Sequence, residues 1–179
     1  MKELTIASYI KSEPFFEGQR VLLDFMDEFH DRDYMLVGNT NHGFVAVASE
    51  NHASPNYLPR RFRFNIGALH QYVYVGESQV KYADEFKSGD MVYIGNGTHA
   101  KTLPIARVKK EIRQFVKLTF ECQGNEISVI LQADATSAVL CPEGIKLIGE
   151  LKAGDGVYVL PWGKASHLGS AKEEFVEEF

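Results

Sequence analysis

Apolar and polar positions along this chain alternate in short runs, the pattern of β-strands. In a strand, successive side chains point to opposite faces. From Arg60 to Ile66 this puts Arg61, Arg63 and Asn65 on one face and Phe62, Phe64 and Ile66 on the other. Gly67 can reset the phase, because glycine accommodates a bulge or a close backbone approach. Beyond it, Ala68 to Val75 alternates as a strand. His70, Tyr72 and Tyr74 share one face there, and Leu69, Val73 and Val75 lie mostly opposite. The apolar sets read as core. The Arg/Asn set and the Gly-Ala-Leu-His turn face a ligand or a partner, or else they form a solvated basic strand with a satisfied histidine.

The rest of the chain continues the theme. Lys2 to Ile10 predicts a first strand, and Glu13-Pro14 through Gly18 a turn. Arg20 to Met26 is a buried strand or the start of a helix, which periodicity cannot separate over so short a run. Asp24 to Asp33 reads as an acidic, solvated loop or helix end. Tyr34–Gly38, the turn Asn39–Gly43 and Phe44–Ala48 predict a hairpin, because the central residues are those that turns need. Ala53 to Pro59 is a loop. Leu103 to Phe120 reads as two strands meeting near Arg113-Gln114. Ile127–Gln132 and Ala138–Leu140 are further strands. Trp162 to Gly169 is a loop, and Glu173 to Phe179 a short helix or a last strand.

One pattern occurs twice. Phe86-Lys87-Ser88-Gly89-Asp90-Met91-Val92-Tyr93-Ile94 is echoed by Leu151-Lys152-Ala153-Gly154-Asp155-Gly156-Val157-Tyr158-Val159. Lys-small-Gly-Asp is turn chemistry: glycine supplies a positive φ and aspartate bonds its own backbone. Each copy follows an apolar strand and a loop. The expectation is a mainly β protein with few short helices. Two similar β-modules, of about 1–100 and 101–179, would arise by internal duplication and pack as barrels or sandwiched sheets into a single compact domain over 1–179.

Composition narrows the function classes. Hydrophobic residues at 45% and charged residues at 24% describe an ordinary globular chain. A net charge of -5 argues against general nucleic-acid binding, which needs a basic surface. No apolar run approaches transmembrane length, so no membrane association is expected. Met1-Lys2-Glu3 leads into a mixed segment rather than an apolar leader, and Cys122 and Cys141 form no disulfide framework. The expected location is the cytoplasm. No Rossmann glycine fingerprint, Walker loop, HExxH or GxSxG is present. Glu50 and His52, two apart, could join His42 or His70 in a metal site of imidazole and carboxylate ligands, though such residues near a loop are common by chance.

A set of ordered segments adds to this. Val37-Gly38 to Gly43-Phe44, Ser49-Glu50, the run Phe62 to Val73, Phe86 to Asp90, Arg107-Val108-Lys109, Val129 to Gln132, Leu151 to Asp155, and His167-Leu168-Gly169 with Glu173-Glu174 resemble the C-terminal half of 3-dehydroquinate synthase II. That is the archaeal-type enzyme, with a sister branch of aminohydroxybenzoate synthases. The resemblance implies oxidative deamination of an amino-heptulosonate-like substrate with NAD, then ring closure, with a divalent metal such as manganese in the sister branch. Zinc is the other metal that such ligands suit. Chemistry of this kind needs a cation for the substrate carboxylate and a stabiliser for an enolate. On residue type, Arg60, Arg63 and Asn65 are candidates for binding the substrate. Glu50, His70 and Lys109 are candidates for catalysis, and Glu50, His52 and His70 for holding a metal. A structural role is the alternative for each.

Two departures from the family pattern matter. The resemblance covers only one half of the enzyme. It therefore also allows a non-catalytic half that pairs with a separate N-terminal-like subunit, or a small-molecule binding module that has lost the chemistry. A homodimer is expected only in the general sense that such enzymes often pair. After Leu131-Gln132, the family's Asn-Ala-Glu-Thr-(Ile/Val)-Arg is replaced by Ala133-Asp134-Ala135-Thr136-Ser137-Ala138. That removes an amide, a carboxylate and a guanidinium and points to a changed substrate or a lost activity.

Overall fold

The computed structural model describes residues 4–52, 57–97, 99–134, 136–163, 165–167, 170–172 and 177–179. Two strands are far longer than the others. β1 (Thr5–Phe25) and β8 (Ala100–Cys122) run antiparallel, from Ser8 opposite Glu121 to Phe25 opposite Ile105. The remaining strands attach to this ribbon or to one another. β4 (Arg63–Ala68) pairs with the end of β1, and β9 (Asn125–Gln132) with the end of β8. The β8–β9 turn is Gln123-Gly124, both at positive φ, as a two-residue hairpin with the right twist requires.

The predicted hairpin is present as β2 (Tyr34–Gly38) and β3 (Gly43–Ala48). β5 (Tyr72–Gly76) and β6 (Gln79–Tyr82) form a second hairpin, and β7 (Met91–Gly95) pairs with the start of β8. β10 (Ala138–Cys141), β11 (Gly144–Leu147) and β12 (Gly156–Pro161) follow, with β12 against the start of β1. Together these make one twelve-stranded sheet in the order β11-β10-β3-β12-β1-β8-β7-β2-β5-β6, with β4 beside β1 and β9 beside β8. A separate pair, β13 (Ala165–His167) and β14 (Ser170–Lys172), lies outside it. The only helical elements among the described residues are single 3₁₀ turns, Ala83–Glu85 and Ile148–Glu150.

The mainly β expectation holds, but the packing differs from separate barrels or sandwiched sheets. β1 and β8 are long enough to serve both parts of the chain, so strands from each part join one sheet. The two Lys-x-Gly-Asp turns do share a geometry. The Lys87 N–H donates to Asp90 Oδ2 at 2.9 Å, and the Lys152 N–H to Asp155 Oδ2 at 2.8 Å. Gly89 and Gly154 sit at φ of 92° and 95°. Their amides donate to Ile105 on β8 and to Tyr9 on β1.

Several boundaries differ from the sequence reading; the loop expected over Trp162–Gly169, for one, carries β13 at Ala165–His167. The expected turn at Glu13-Pro14 is a β-bulge inside β1: two residues, Phe15 and Phe16, lie between register pairs where β8 has only Phe115. Proline is tolerated at a bulge because no ladder donor is needed there. The expected break near Arg113 is absent, because β8 keeps its pairing with β1 through that point. The strand expected over Ala68–Val75 is split by a turn at Leu69–Gln71. Of the expected terminal segment Glu173–Phe179, residues 173–176 lie outside the described residues.

The core is built by the alternation that the sequence displays. Phe64, Ile66, Val21, Leu23, Val37, Leu118, Phe120 and Val129 are all buried in one cluster. Phe29 packs edge-on against Phe64 and Phe25, with centroids 4.6 Å and 5.2 Å away. A polar staple crosses this region. Fully buried Gln71 donates through Nε2 to the Ile66 and Ile130 carbonyls and accepts the Ile130 N–H through Oε1 at 2.6 Å. It ties β4 to β9 and satisfies backbone groups that the bend at Gly67 leaves unpaired.

Gly67 makes that close approach feasible. Its φ is +75°, and a Cβ there would lie 2.1 Å from the Ile130 carbonyl oxygen. Gly67→Ala is expected to lower stability by more than about 1 kcal/mol, from backbone strain alone. Equilibrium urea unfolding should show this as a lower midpoint with an unchanged slope.

Candidate functional site

One cavity gathers most of the charged residues that the sequence singles out. Its volume is about 160 Å³, and it lies where the end of β1, the middle of β8, the end of β9 and the segment before β4 meet. Among the described residues its wall carries four arginines, Arg20, Arg60, Arg63 and Arg113, against two carboxylates, Glu50 and Asp134. His52, Gln132 and Thr136 also line it. In a chain of net charge -5 this is a local excess of positive charge, which focuses the field on an anionic ligand.

The arginines differ in what holds them. Arg63 Nε donates to Asp24 Oδ1 at 2.7 Å, and its terminal nitrogen to Oδ2 at 3.2 Å. Arg107 donates to the same carboxylate at 2.8 Å. Asp24 is almost wholly buried. Burial alone would raise its pKa, but the hydrogen bonds and charges of Arg63 and Arg107 outweigh that and hold it below the ordinary value. The Asp24 hydrogen bonds likewise raise the pKa of Arg63. The acidic run expected to be solvated thus supplies a buried counter-ion.

Glu111 holds two more. Arg20 donates to its Oε1 at 2.8 Å and Arg113 to its Oε2 at 3.1 Å, while Lys109 Nζ stands 4.0 Å from Oε1. The Arg20 hydrogen bond is the main reason that the Glu111 pKa is lowered. Arg20 also donates to the side-chain oxygen of Gln132. Arg60 stands apart. Among the described residues its guanidinium donates only to the Leu58 carbonyl, at 2.8 Å, and meets no carboxylate. It is the cavity's available cation.

Glu50 reaches the cavity because the chain re-pairs around it: its N–H donates to the Arg63 carbonyl, and its carbonyl accepts the Arg60 N–H. Burial raises its pKa, offset only in part by Arg63, Arg20, a hydrogen bond to Thr136, and His52. A carboxyl poised in this way can carry a proton near neutrality more readily than a solvated one.

The other candidates lie elsewhere. Asn65 is buried behind the cavity, where it donates to Gln132 at 2.8 Å and accepts the Gly67 N–H. It therefore orients Gln132 rather than facing the space. His70 is carried away by the Leu69–Gln71 turn. Its Nε2 is 2.7 Å from Asn39 Oδ1, and it lines a different, mostly apolar cavity. Desolvation lowers its pKa. Glu50, His52 and His70 therefore do not line one space, and no group of three or more His, Cys, Asp or Glu suited to a metal occurs among the described residues. With arginines crowding Glu50, the donor set here does not fit a divalent cation. Nor do the described residues offer a helix N-terminus to cradle the pyrophosphate of NAD.

Sequence reasoning missed Arg20, Arg113 and Asp24 as site residues. Asp134 and Thr136 carried a signal, because they fall in the segment where the chain departs from the family pattern, and Gln132 closes the matching segment just before it. Asp134 returns a carboxylate to this wall, accepting from the Gln132 amide at 3.1 Å.

Residues 6–179 match the family described as the 3-dehydroquinate synthase II C-terminal domain. The chain belongs to that family. A 3-dehydroquinate synthase of Methanothrix thermoacetophila is 34% identical over 98% of this chain and 49% of its own length. One of Archaeoglobus fulgidus is 35% identical over 98% and 55%. A 3-dehydroquinate synthase homolog of Aquifex aeolicus is 35% identical over 98% and 54%. This member thus spans about half the length of the curated relatives it matches. No solved structure matches it. Among the described residues no helix is long and apolar enough to cross a membrane.

The carboxylates of Asp24 and Glu50 should respond oppositely to neutralisation. Asp24 has a lowered folded pKa, so its stabilisation is present above the ordinary value of 3.8 and is lost as pH falls through the folded value. Asp24→Asn should lower stability at pH 7 by about 3–5 kcal/mol, by leaving Arg63 unpaired. Glu50 has a raised folded pKa, so its charged form opposes folding at neutral pH. Glu50→Gln should raise the urea midpoint at pH 7 and have no such effect at pH 4.

Proposed function

We propose that this chain supplies the substrate-carboxylate half of a 3-dehydroquinate synthase II-like site, acting on a small, anionic, sugar-derived substrate during ring closure. The observation that carries this reading is Arg60, with no carboxylate partner among the described residues, beside protonatable Glu50 in a basic cavity. The guanidinium of Arg60 is free to take a carboxylate in a two-point hydrogen bond. Arg63, fixed by Asp24, and Arg20, fixed by Glu111, shape the positive field around it. Glu50 is the group for moving a proton at the bound substrate, and Thr136 is its hydrogen-bonding neighbour. The names of the relatives support the reaction class, and the size and charge of the cavity support a compact anion.

Of the residues proposed from sequence, Arg60 and Glu50 keep direct roles. Arg63 acts as a positioned charge, Asn65 through Gln132, and Lys109 as a more distant cation beside Glu111. No role is given to a metal, for which the described residues offer no donor set, or to NAD. A second reading, a half that binds the anion without catalysing, is favoured by the position of His70 outside this cavity.

Calorimetric titration with 3-dehydroquinate and with its methyl ester tests the binding role. The carboxylate should bind and the uncharged ester should bind weakly. Arg60→Ala should weaken carboxylate binding by about tenfold or more, since a charge-assisted hydrogen bond contributes roughly 1.5–3 kcal/mol. Equal affinity for acid and ester, or an unaffected Arg60→Ala variant, would remove the carboxylate role. Slowed exchange of substrate protons with solvent in Glu50→Gln, at unchanged affinity, separates the catalytic reading from the binding-only one.

A further inference from the structure

The long ribbon carries an apolar feature that the cavity does not use. At the bulge in β1, Phe15 and Phe16 sit opposite the single residue Phe115. Bulges re-aim side chains, and here the two rings meet edge-on with centroids 4.9 Å apart. Phe16 is 75% exposed. Beneath the bulge lies a second cavity of about 180 Å³, floored by Ala68, Phe115 and Ile130. Those three form a small buried cluster separate from the main core. An exposed aromatic pair over an apolar hollow marks an interaction surface.

The position of this surface matters as much as its composition. Arg20 lies opposite Glu111 and Gly18 opposite Arg113 on the same ribbon. Gly18 lines the apolar hollow, while Arg20 and Arg113 line the basic cavity. Whatever covers the aromatic pair therefore stands at the mouth of the basic cavity. The family is that of a C-terminal domain, and the relatives carry about as much sequence again outside the match. We infer that the Phe15–Phe16 bulge is the seat of a domain of the kind that precedes the matched region in those relatives, and that this domain roofs the basic cavity.

The inference rests on family membership and the exposed ribbon. It does not depend on the carboxylate role of Arg60, so its test uses no ligand. The segment that precedes the match in the Archaeoglobus fulgidus relative is joined ahead of this whole chain. Amide hydrogen exchange is then followed by mass spectrometry in the joined protein and in the chain alone. Residues 10–19 and 110–115 should exchange about tenfold more slowly in the joined protein, as docked strands do. The variant Phe16→Asp should abolish that protection and leave the exchange of β2, β3 and β9 unchanged. Phe16 is an exposed position, so the variant should fold, which its circular dichroism verifies. Unchanged exchange across the ribbon in the joined protein would overturn the inference, as would protection confined to another face. It would also be overturned if the chain alone forms a dimer that Phe16→Asp dissociates, because a second copy would then own the surface.

Discussion

The antiparallel pairing of β1 with β8 underlies everything else in this protein. It holds together residues some hundred positions apart and offers flanks on which β4, β9, β7 and β12 find their registers. Arg20 and Glu111 meet because they are register partners. Asp24 reaches Arg107 for the same reason, and Arg63 joins them because β4 adds to the same end of β1. The charged cavity is thus a by-product of strand register. A slip of one residue would send these side chains to the opposite face.

The site is also divided by how firmly its charges are held. Arg63 is fixed by a buried carboxylate and Arg20 by a partly buried one, whereas among the described residues the Arg60 guanidinium leans only on a backbone carbonyl. Fixed charges set a potential and a loosely held one can follow a ligand. Glu50, the carboxyl whose ionisation burial disfavours, sits among them without collapsing into an ion pair with any one arginine. Such a carboxyl is tolerable only in a fold stable enough to absorb its desolvation. The aromatic bulge adds a comparable tension, since it leaves apolar surface in water.

Part of this was legible in the residues. The alternation at Phe62–Ile66 put Phe64 and Ile66 in the core, and the Asn/Gly-rich turn at 39–43 gave the β2–β3 hairpin. The loop around Glu50 and the arginine-rich entry to β4, singled out from the residues alone, both line the basic cavity. What could not be read depended on distant partners. Asp24 looks solvated in an acidic run until Arg63 and Arg107, 39 and 83 residues away, are brought to it. Pro14 looks like a terminator until a partner strand turns it into part of a bulge. His70 looked close to Arg63 along the chain, yet the bend at Gly67, locked by Gln71, carried it to another surface. Arg20, a lone cation before an apolar run, gave no local sign of its role. Local pattern determines which face a side chain takes, whereas the identity of its neighbours is a property of topology.

The length of the ribbon has a consequence during synthesis. Arg20 must wait for Glu111, 91 residues further on, before β1 acquires its main partner. At a ribosomal speed of about 5–20 residues per second, that interval is roughly 5–18 seconds. Throughout it, a 21-residue strand ending in Val21-Leu22-Leu23-Asp24-Phe25 has emerged without the strand that will cover its edge. β4 arrives sooner and can shield the apolar end, but the middle of β1 has nothing to pair with until β8 appears. The edge of β1 therefore stays without its main partner throughout that window.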